Sequence, residues 1–190
     1  MNRVPSFTVH EETPARFTVE EFMYLRQSAP LIEWMGKVEL VEGIIVRMSP
    51  ANTPHWNVQR VTHARLYDAM KAEPHGWVVG QEPAVRLSGD TIRQPDVALL
   101  RDPDLSGKTI DRSALFLAIE VSDSSLPIDT GAKQYSYAEA FVPHYWVVDV
   151  QNREVRIMSN PSGGNYRTSR TVPFGTEIDV PDTEQKITID

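Results

Sequence analysis

The segment that most constrains this chain is an apolar run that contains a single carboxylate, "LFLAIEVSDSS" at residues 115–125. Unbroken apolar runs followed by polar turn residues are typical of a strand that is buried on both faces of a sheet. Glu120 lies inside this run. Because a buried carboxylate without a partner is costly, Glu120 needs a counter-charge, hydrogen-bond donors or a metal ion.

The rest of the chain predicts helices and strands in alternation. The patterns follow the order helix, strands, helix, strands, helix, strands. This order predicts the α/β class: a mixed β-sheet flanked by helices, with an N-terminal hairpin at 37–49 and a C-terminal β-hairpin at 153–172. Residues 1–16 are polar and predict a flexible arm, and residues 17–190 predict a single domain.

Capping residues predict where three helices begin. Thr18 can cap the first helix, and Glu21 completes a capping box with it. Asn52 or Thr53 can cap the second helix, which has a proline at its first position. Asp129 can cap the third helix, which follows a turn rich in serine, aspartate and proline.

Composition and missing motifs exclude several classes of function. With 41% hydrophobic residues, no membrane-spanning stretch and no signal-peptide pattern, the sequence predicts a cytoplasmic globular protein. The chain has no cysteine, which fits a reducing compartment and excludes thiolate chemistry. It also lacks a glycine-rich phosphate loop and a serine nucleophile elbow. The net charge of −7 disfavours a generally basic, DNA-coating surface but leaves room for a local basic groove.

Two carboxylates lie in apolar strand sequence and could converge. Asp96 follows Pro95, which favours an edge, a bulge or the start of a strand over a central position. If this strand neighbours the one with Glu120, both acids meet at one end of the sheet. A divalent cation such as Mg²⁺ would keep both ionised. The plainer alternative is that Asp96 caps a turn while Glu120 pairs with a structural arginine.

A lysine on the third helix could join these acids. Lys133 precedes Tyr137 by four residues and Phe141 by eight, so the three are predicted to share the apolar side of the helix. A lysine on that side would reach towards the strand ends that hold Asp96 and Glu120. The alternative is an ordinary surface lysine whose stem covers apolar neighbours.

Further candidates lie on the second helix and the first hairpin. His55 is on the apolar side of the second helix, near its start, where a structural histidine is the simpler interpretation. Glu39 and Glu42 are three residues apart in a predicted strand. They therefore face opposite sides, and at most one of them can join a site.

The ordered series of these motifs resembles the Uma-two family, a branch of the PD-(D/E)xK nuclease superfamily. The resemblance covers about residues 17 to 185. The motifs that carry it are "VELVEGIIVRMSP", "RQPDVALL", "LAIEVSDSS" and "DTGAKQYSYAEAFVPHYWVVD". It implies a restriction-endonuclease-like fold and Mg²⁺-dependent hydrolysis of DNA phosphodiester bonds, with Mn²⁺ as an alternative metal.

The resemblance also implies roles for individual residues. Asp96 matches the family's motif aspartate and Glu120 its motif acid. The superfamily's usual lysine, two residues after that acid, is replaced here by Ser122. Within the family the lysine stands on the following helix, where Lys133 lies. Glu39 matches the glutamate of the first hairpin.

Other positions extend or break the family pattern. His55 matches the histidine that opens the second helix. Phe141 replaces a glycine that is usual before the last conserved strand, and Gln94 lies just before the Pro-Asp pair. The first departure is expected to alter helix packing, and the sequence gives no role for Gln94.

Together these matches predict a mechanism. Asp96, Glu120 and the Val121 carbonyl would bind Mg²⁺, which would polarise a phosphodiester oxygen and activate a water. Lys133 would orient that water or neutralise charge on the phosphate. Glu39 would help to hold the metal or its waters. DNA is the expected substrate, and a homodimer is expected because nucleases of this superfamily often act as dimers, with "LIEWM" at 31–35 as an apolar surface candidate.

Two rival functions remain open. The first is a catalytically silent binding module with the nuclease fold, which the acidic net charge favours. The second is a metal-dependent hydrolase of a smaller phosphate ester, which a narrow closed pocket would favour. An endonuclease is favoured by a basic groove beside the acids, formed from Arg60, Arg65, Arg86, Arg93 and Lys133.

Overall fold

The computed structural model describes residues 14–28, 36–73 and 76–190. Its helices are α1 (Val19–Ser28), α2 (Thr53–Met70), α3 (Leu126–Ile128) and α4 (Gln134–Glu139), with a π-helical turn (Asp129–Lys133) and a 3-10 turn (Arg112–Ala114). The first strands are β1 (Val38–Val41), β2 (Ile44–Arg47), β3 (Trp77–Gln81), β4 (Val85–Arg86), β5 (Ile92–Arg93), β6 (Val97–Arg101) and β7 (Ile110–Asp111). The later strands are β8 (Leu115–Ser122), β9 (His144–Asp149), β10 (Glu154–Ser162), β11 (Asn165–Pro173), β12 (Glu177–Asp179) and β13 (Lys186–Thr188).

A six-stranded mixed sheet forms the centre of the fold, in the order β11-β10-β9-β8-β6-β3. Strand β8 runs parallel to β9 and antiparallel to β6. Seven of its eight residues are buried, because both faces of the sheet are covered. The predicted α/β class and the buried strand that carries Glu120 are therefore confirmed.

A second sheet contains the N-terminal hairpin, in the order β2-β1-β5-β4-β7. The predicted hairpin is observed as β1 and β2, with Val41 paired to Ile44 across the turn. Strand β5 joins this sheet while β6, which follows it closely in the chain, joins the central one. The short segment between them, residues 94–96, therefore crosses from one sheet to the other and positions Asp96.

The two long helices begin where their capping residues predict. The Thr18 amide donates to the Glu21 carboxylate at 2.8 Å, and the Glu21 amide donates to the Thr18 hydroxyl at 3.2 Å. In α2, the Asn52 side chain accepts a hydrogen bond from the His55 amide at 3.0 Å. Both caps satisfy backbone amides that lack partners within the helix.

The third helical segment begins earlier than the sequence predicts. Helical backbone starts at Leu126 and continues through the π-turn to Glu139. Asp129 therefore lies inside the segment, 1% exposed, and the predicted cap there is wrong. Its carboxylate instead accepts from the Ser125 hydroxyl at 2.5 Å and pairs with Lys133 at 3.2 Å. We call residues 126–139 the site helix.

The C-terminal region contains one hairpin that was predicted and one that was not. Strands β10 and β11 form the predicted closing hairpin. Strands β12 and β13 form a further one, in which Ile178 pairs with Ile187 and both side chains are buried in the core beside α2. Each of these strands has three residues, too few to show the alternation that reveals a strand.

Several predictions concern parts of the chain outside the described residues. Residues 1–13, which make up most of the predicted flexible arm, and the apolar segment 31–35 are among them. The arm, the single-domain boundary and the dimer contact remain predictions. Within the described ranges, no helix combines the length and the apolar character needed to cross a membrane.

The end of the site helix has a backbone conformation at position 141 that favours glycine. The Val142 amide donates to the Tyr137 carbonyl at 3.0 Å, which closes a Schellman motif. The residue at its left-handed position is Phe141, with φ +58°. Its side chain is 66% exposed, so the predicted apolar side shared with Lys133 does not include it. The Phe141 departure therefore strains the backbone and does not alter the packing of the helix.

Replacing Phe141 with glycine should stabilise the protein. A non-glycine residue in the left-handed region lowers the stability of the fold by about 1–2 kcal/mol. Glycine removes this strain, but its greater flexibility in the unfolded state offsets part of the gain. We expect the free energy of unfolding to rise by roughly 0.5–1 kcal/mol in urea denaturation. Phe141→Ala is the control because it removes the ring and keeps the strain. A glycine variant no more stable than the alanine variant would contradict this account.

Candidate active site

A cleft of about 460 Å³ lies where the ends of several elements meet. Its wall includes the end of β2, the start of α2, the start of β6, the end of β8 and the site helix. Exposed side chains lie along it, among them Arg47 and Ile128, so the cleft is open to solvent. Four basic side chains line the cleft: Lys37, Arg47, Arg93 and Lys133. The acidic side chains that line it are Glu82, Asp96 and Asp123.

Asp96 and Glu120 lie opposite each other at neighbouring strand ends. Val97 of β6 pairs with Ile119 of β8, so the residue before Val97 faces the residue after Ile119. The Val121 amide donates to the Asp96 carboxylate at 2.8 Å, and this hydrogen bond holds Asp96 against the end of β8. The structure thus brings the two predicted acids together, with Asp96 at the start of a strand as Pro95 suggested.

The Asp96 carboxylate is surrounded by donors and cations. His55 Nε2 lies 3.2 Å and Lys37 Nζ 3.6 Å from its oxygens. Burial favours the neutral acid, but the His55 hydrogen bond and the charges of Lys37 and Lys133 outweigh it and hold the pKa of Asp96 below its usual value. Asp96 is therefore an ionised carboxylate that lines the cleft.

Glu120 is fully buried and both of its carboxyl oxygens accept hydrogen bonds. Lys133 Nζ donates to one oxygen at 2.7 Å, and the Tyr137 hydroxyl donates to the other at 2.8 Å. Burial raises the pKa of Glu120 to about 8, and the charge of Lys133 offsets this only in part. The ionised form, which matches the two donors, therefore depends on a nearby positive charge.

Lys133 lies between Glu120 and the cleft. Its ammonium pairs with Glu120 and with Asp129, and its side chain lines the cleft whereas that of Glu120 does not. Burial alone would lower the pKa of Lys133, but Glu120 and Asp129 raise it above its ordinary value. A permanently charged ammonium thus covers the buried acid, as the position on the third helix predicted.

Glu39 lies behind the cleft and does not line it. Its carboxylate accepts from the Arg93 guanidinium at 2.8 Å and from the Gln94 amide at 2.8 Å, and it is fully buried. The Gln94 side chain donates to the Val38 carbonyl at 2.7 Å, while Arg93 also donates to Ser136 of the site helix at 3.0 Å. These contacts tie β1 and the site helix to the segment just before Asp96, which gives Gln94 a structural role.

His55 opens α2 and contacts the site directly. Burial lowers the pKa of its imidazole, but the hydrogen bond and charge of Asp96 outweigh this and raise it above the ordinary value. Its second ring nitrogen, Nδ1, is buried and has no hydrogen-bond partner among the described residues. The structure therefore places His55 in the wall of the cleft, in contact with Asp96.

Two polar residues of the site were missed in the sequence. Lys37 Nζ lies 3.1 Å from Glu82, and both side chains line the cleft beside Asp96. Lys37 is two residues before Glu39, so the period of a strand places both on one side of the hairpin. This two-residue spacing was the sequence signal that could have identified Lys37. Glu82 lies in the bend after β3, where the sequence gives no comparable pattern.

The predicted basic groove forms only in part. Arg93 and Lys133 line the cleft, but both are engaged with buried acids. Arg86 is elsewhere and pairs with Glu20 of α1 at 2.6 Å. Arg60 and Arg65 are exposed on α2 and do not line the cleft.

The donor set suits a hard divalent cation with few protein ligands. In residues 14–28, 36–73 and 76–190, no three side chains of the His, Asp or Glu type are grouped closely enough to hold a metal by themselves. Mg²⁺ commonly uses one or two carboxylates and completes its shell with water and phosphate oxygens. Asp96 and Glu120 meet that requirement, provided that the Lys133 ammonium moves off Glu120.

The fold is a mixed α/β architecture of the nuclease-like kind. A crystal structure of "a putative nuclease belonging to DUF820 from Anabaena variabilis" superposes with a TM-score of 0.66, 17% identity, and coverage of 91% of this chain and 95% of that chain. The chain belongs to the Uma2 family, whose model, described as "Putative restriction endonuclease", matches residues 19–190. This confirms the resemblance to the Uma-two family. No curated protein matched the chain.

Removing the Lys133 charge should destabilise the fold strongly. Measured at pH 9, above the raised pKa of Glu120 of about 8, Lys133→Met leaves the ionised Glu120 carboxylate without its counter-charge, which typically costs about 3–5 kcal/mol. At a lower pH the loss should be smaller, because the carboxyl can take up a proton. The double variant Lys133→Met, Glu120→Gln should recover most of that loss in urea denaturation, because no unpaired charge remains.

A surface lysine provides the matched control for this prediction. Lys186 pairs with Asp179 at 3.4 Å, but its side chain is 55% exposed. Lys186→Met should change stability by less than about 1 kcal/mol. Equal effects of the two lysine substitutions would show that the Glu120 pair is not a buried ion pair in solution.

Proposed function

We propose that this protein is a metal-dependent endonuclease that hydrolyses DNA phosphodiester bonds in the cleft. The observation that carries the proposal is the pair of acids on facing strand ends, Asp96 and Glu120, with the Lys133 ammonium between Glu120 and the cleft. Membership of a family described as restriction endonucleases supports the same reaction class. An open cleft admits a polymer more readily than a closed pocket does.

Three groups of this chain would hold the metal: the Asp96 and Glu120 carboxylates and the Val121 carbonyl. Mg²⁺ is the expected ion, with Mn²⁺ as an alternative, since both prefer oxygen ligands. When bound, the ion supplies positive charge beside a phosphoryl oxygen and lowers the pKa of a nearby water. The ionised Asp96 and the raised pKa of Glu120 fit this role, because a cation favours the ionised form of both.

The protein's own residues would orient the phosphate and its attacking water. Lys133 is a charged donor next to Glu120, and on leaving that carboxylate it can donate to the phosphate or the water. His55 donates to Asp96 and so keeps that carboxylate turned towards the cleft. Lys37 adds a second positive charge to the same wall. These groups would stabilise negative charge as it develops on the phosphate.

Glu39 would act as a positioning residue in this scheme. Its carboxylate binds Arg93 and the Gln94 amide, and it has no place in the lining of the cleft. It would therefore hold the segment that carries Asp96. The family pattern suggested a direct contact between Glu39 and the metal, and this role replaces it.

A homodimer remains part of the proposal, because two copies would bring one active site to each strand of a duplex.

The charges that line the cleft are close to balanced. The chain carries a net charge of −7, and four basic side chains line the cleft beside three acidic ones, but two of the four, Arg93 and Lys133, are paired with buried acids. Phosphate contacts by lysine and arginine supply much of the affinity for DNA. The balance is modest, so a metal ion at the acids would add to the attraction.

Specific observations favour each of the two alternatives. Lys133 neutralises Glu120 through a direct ion pair, which a catalytically silent binding module would also retain. The cleft volume of about 460 Å³ falls within the range of small-molecule pockets, as a hydrolase of a smaller phosphate ester would require.

The test combines metal titration with a nicking assay. Mg²⁺ and Mn²⁺ are titrated calorimetrically into the wild type, Asp96→Asn and Glu120→Gln, and supercoiled plasmid is then incubated with the same samples. We expect both substitutions to weaken metal binding and to lower nicking about 100-fold or more, since a metal supplies several kcal/mol to the transition state.

Asp104→Asn is the control for the acid substitutions. Asp104 lies in an exposed turn and accepts from Ser106 at 2.7 Å, away from the cleft. It should leave metal binding and nicking unchanged. Metal binding without nicking would favour the small phosphate ester or the silent module. Nicking that survives Glu120→Gln would refute the proposed site.

A further inference from the structure

One side of α2, outside the cleft, carries three ring side chains and two basic side chains. Successive members are four, three, four and four residues apart, so they lie on the same side of the helix. We call this set the α2 stripe; its members are Trp56, Arg60, His63, Tyr67 and Lys71.

The members of the stripe hold one another in place. The Arg60 guanidinium lies 5.8 Å from the centre of the Trp56 ring. The rings of His63 and Tyr67 are stacked, with centres 6.0 Å apart and planes 12° apart, and the Lys71 ammonium lies 4.7 Å from the Tyr67 ring. Cation–π pairs of this kind orient the rings at the surface.

Two of the three rings of the stripe, Trp56 and Tyr67, are exposed and lie outside the core, while His63 is half-buried. Trp56 is 55% exposed and Tyr67 49% exposed. The helix packs against the core through other positions, including Val58 and Leu66. Single exposed aromatics are common and need no partner. Here, however, three rings and two cations share one side of the helix over more than three turns, and each cation lies over a ring.

We propose that the α2 stripe binds a single-stranded stretch of nucleic acid beside the cleft, an inference that rests on the proposed nuclease function. Exposed rings offer stacking surfaces for unpaired bases, and the interleaved cations offer contacts to phosphates. Duplex bases already stack on their neighbours and are closed to such contacts. The exposed rings with cations beside them thus fit a single strand better than a duplex.

The α2 stripe begins next to the cleft. Trp56 directly follows His55, whose imidazole contacts Asp96 in the cleft wall. From Trp56 to Tyr67 the helix advances about 16 Å, enough for several nucleotides. The charge of Lys71 is shared with Asp68 at 2.8 Å, so Arg60 carries most of the phosphate attraction. The substrate of the cleft is then a nucleic acid with unpaired bases next to the cleaved bond.

The test is fluorescence anisotropy with a labelled 16-nucleotide oligo(dT) and a labelled duplex of the same length. Metal is removed with EDTA so that binding is measured without cleavage. We expect the full-length wild type to bind the single strand more tightly than the duplex. Trp56→Ala, Tyr67→Ala and the double variant should each weaken single-strand binding, by roughly tenfold or more per ring.

The control is an exposed ring on another helix. Tyr24 of α1 is 70% exposed, and Tyr24→Ala should leave binding unchanged. Trp56→Phe should retain most of the affinity, because a ring is kept. If the double variant fails to fold, as judged by circular dichroism, the single variants and Arg60→Gln decide the matter, the last by a smaller dependence of binding on salt.

The outcomes separate the stripe from the nuclease proposal. Equal binding of single strand and duplex by the wild type, or unchanged binding by the ring variants, would overturn the stripe. Loss of single-strand binding in the ring variants would support it even where plasmid nicking is absent, in which case the nuclease proposal alone fails. Nicking together with unchanged binding would refute the stripe and leave the nuclease proposal standing.

Discussion

The burial of Glu120 in the central strand is the constraint on which the site depends. A charged carboxylate in the middle of a sheet is tolerated only when donors and a counter-charge meet it there. Lys133 and Tyr137 do so, one on each carboxyl oxygen, and both lie on the site helix. The same electrostatic requirement thus docks this helix on the sheet and places a cation at the wall of the cleft.

Much of the fold, and the convergence of Asp96, Glu120 and Lys133 at the candidate site, could be predicted from sequence. The apolar run around Glu120 identified a two-sided buried strand, and cap chemistry located the starts of α1 and α2. Pro95 indicated an edge, a bulge or the start of a strand at Asp96, and the structure has the start of a strand, which allows Asp96 to face Glu120. These features rest on local periodicity and local hydrogen bonds, both of which a sequence displays directly.

Other features depend on contacts between distant segments, and the sequence does not display these. An aspartate after a turn is a typical helix cap, but Asp129 lies inside the helix, where its carboxylate contacts Ser125 and Lys133. Glu82 reaches the cleft through the geometry of two sheets, and the short strand that contains Ile178 depends on packing against α2. Glu39 was correctly placed in the hairpin, yet only the structure shows that Arg93 and Gln94 occupy its carboxylate.

The placement of the site's ammonium on a helix, instead of on the strand that carries the acid, has a dynamic consequence. The sheet fixes Asp96 and Glu120, whereas Lys133 is present only while residues 126–139 remain docked. Local opening of that one segment would remove the cation and uncover the acid in a single motion. The fraction of molecules that carry a complete site is therefore set by a local folding equilibrium, which can vary while the global stability of the protein stays constant.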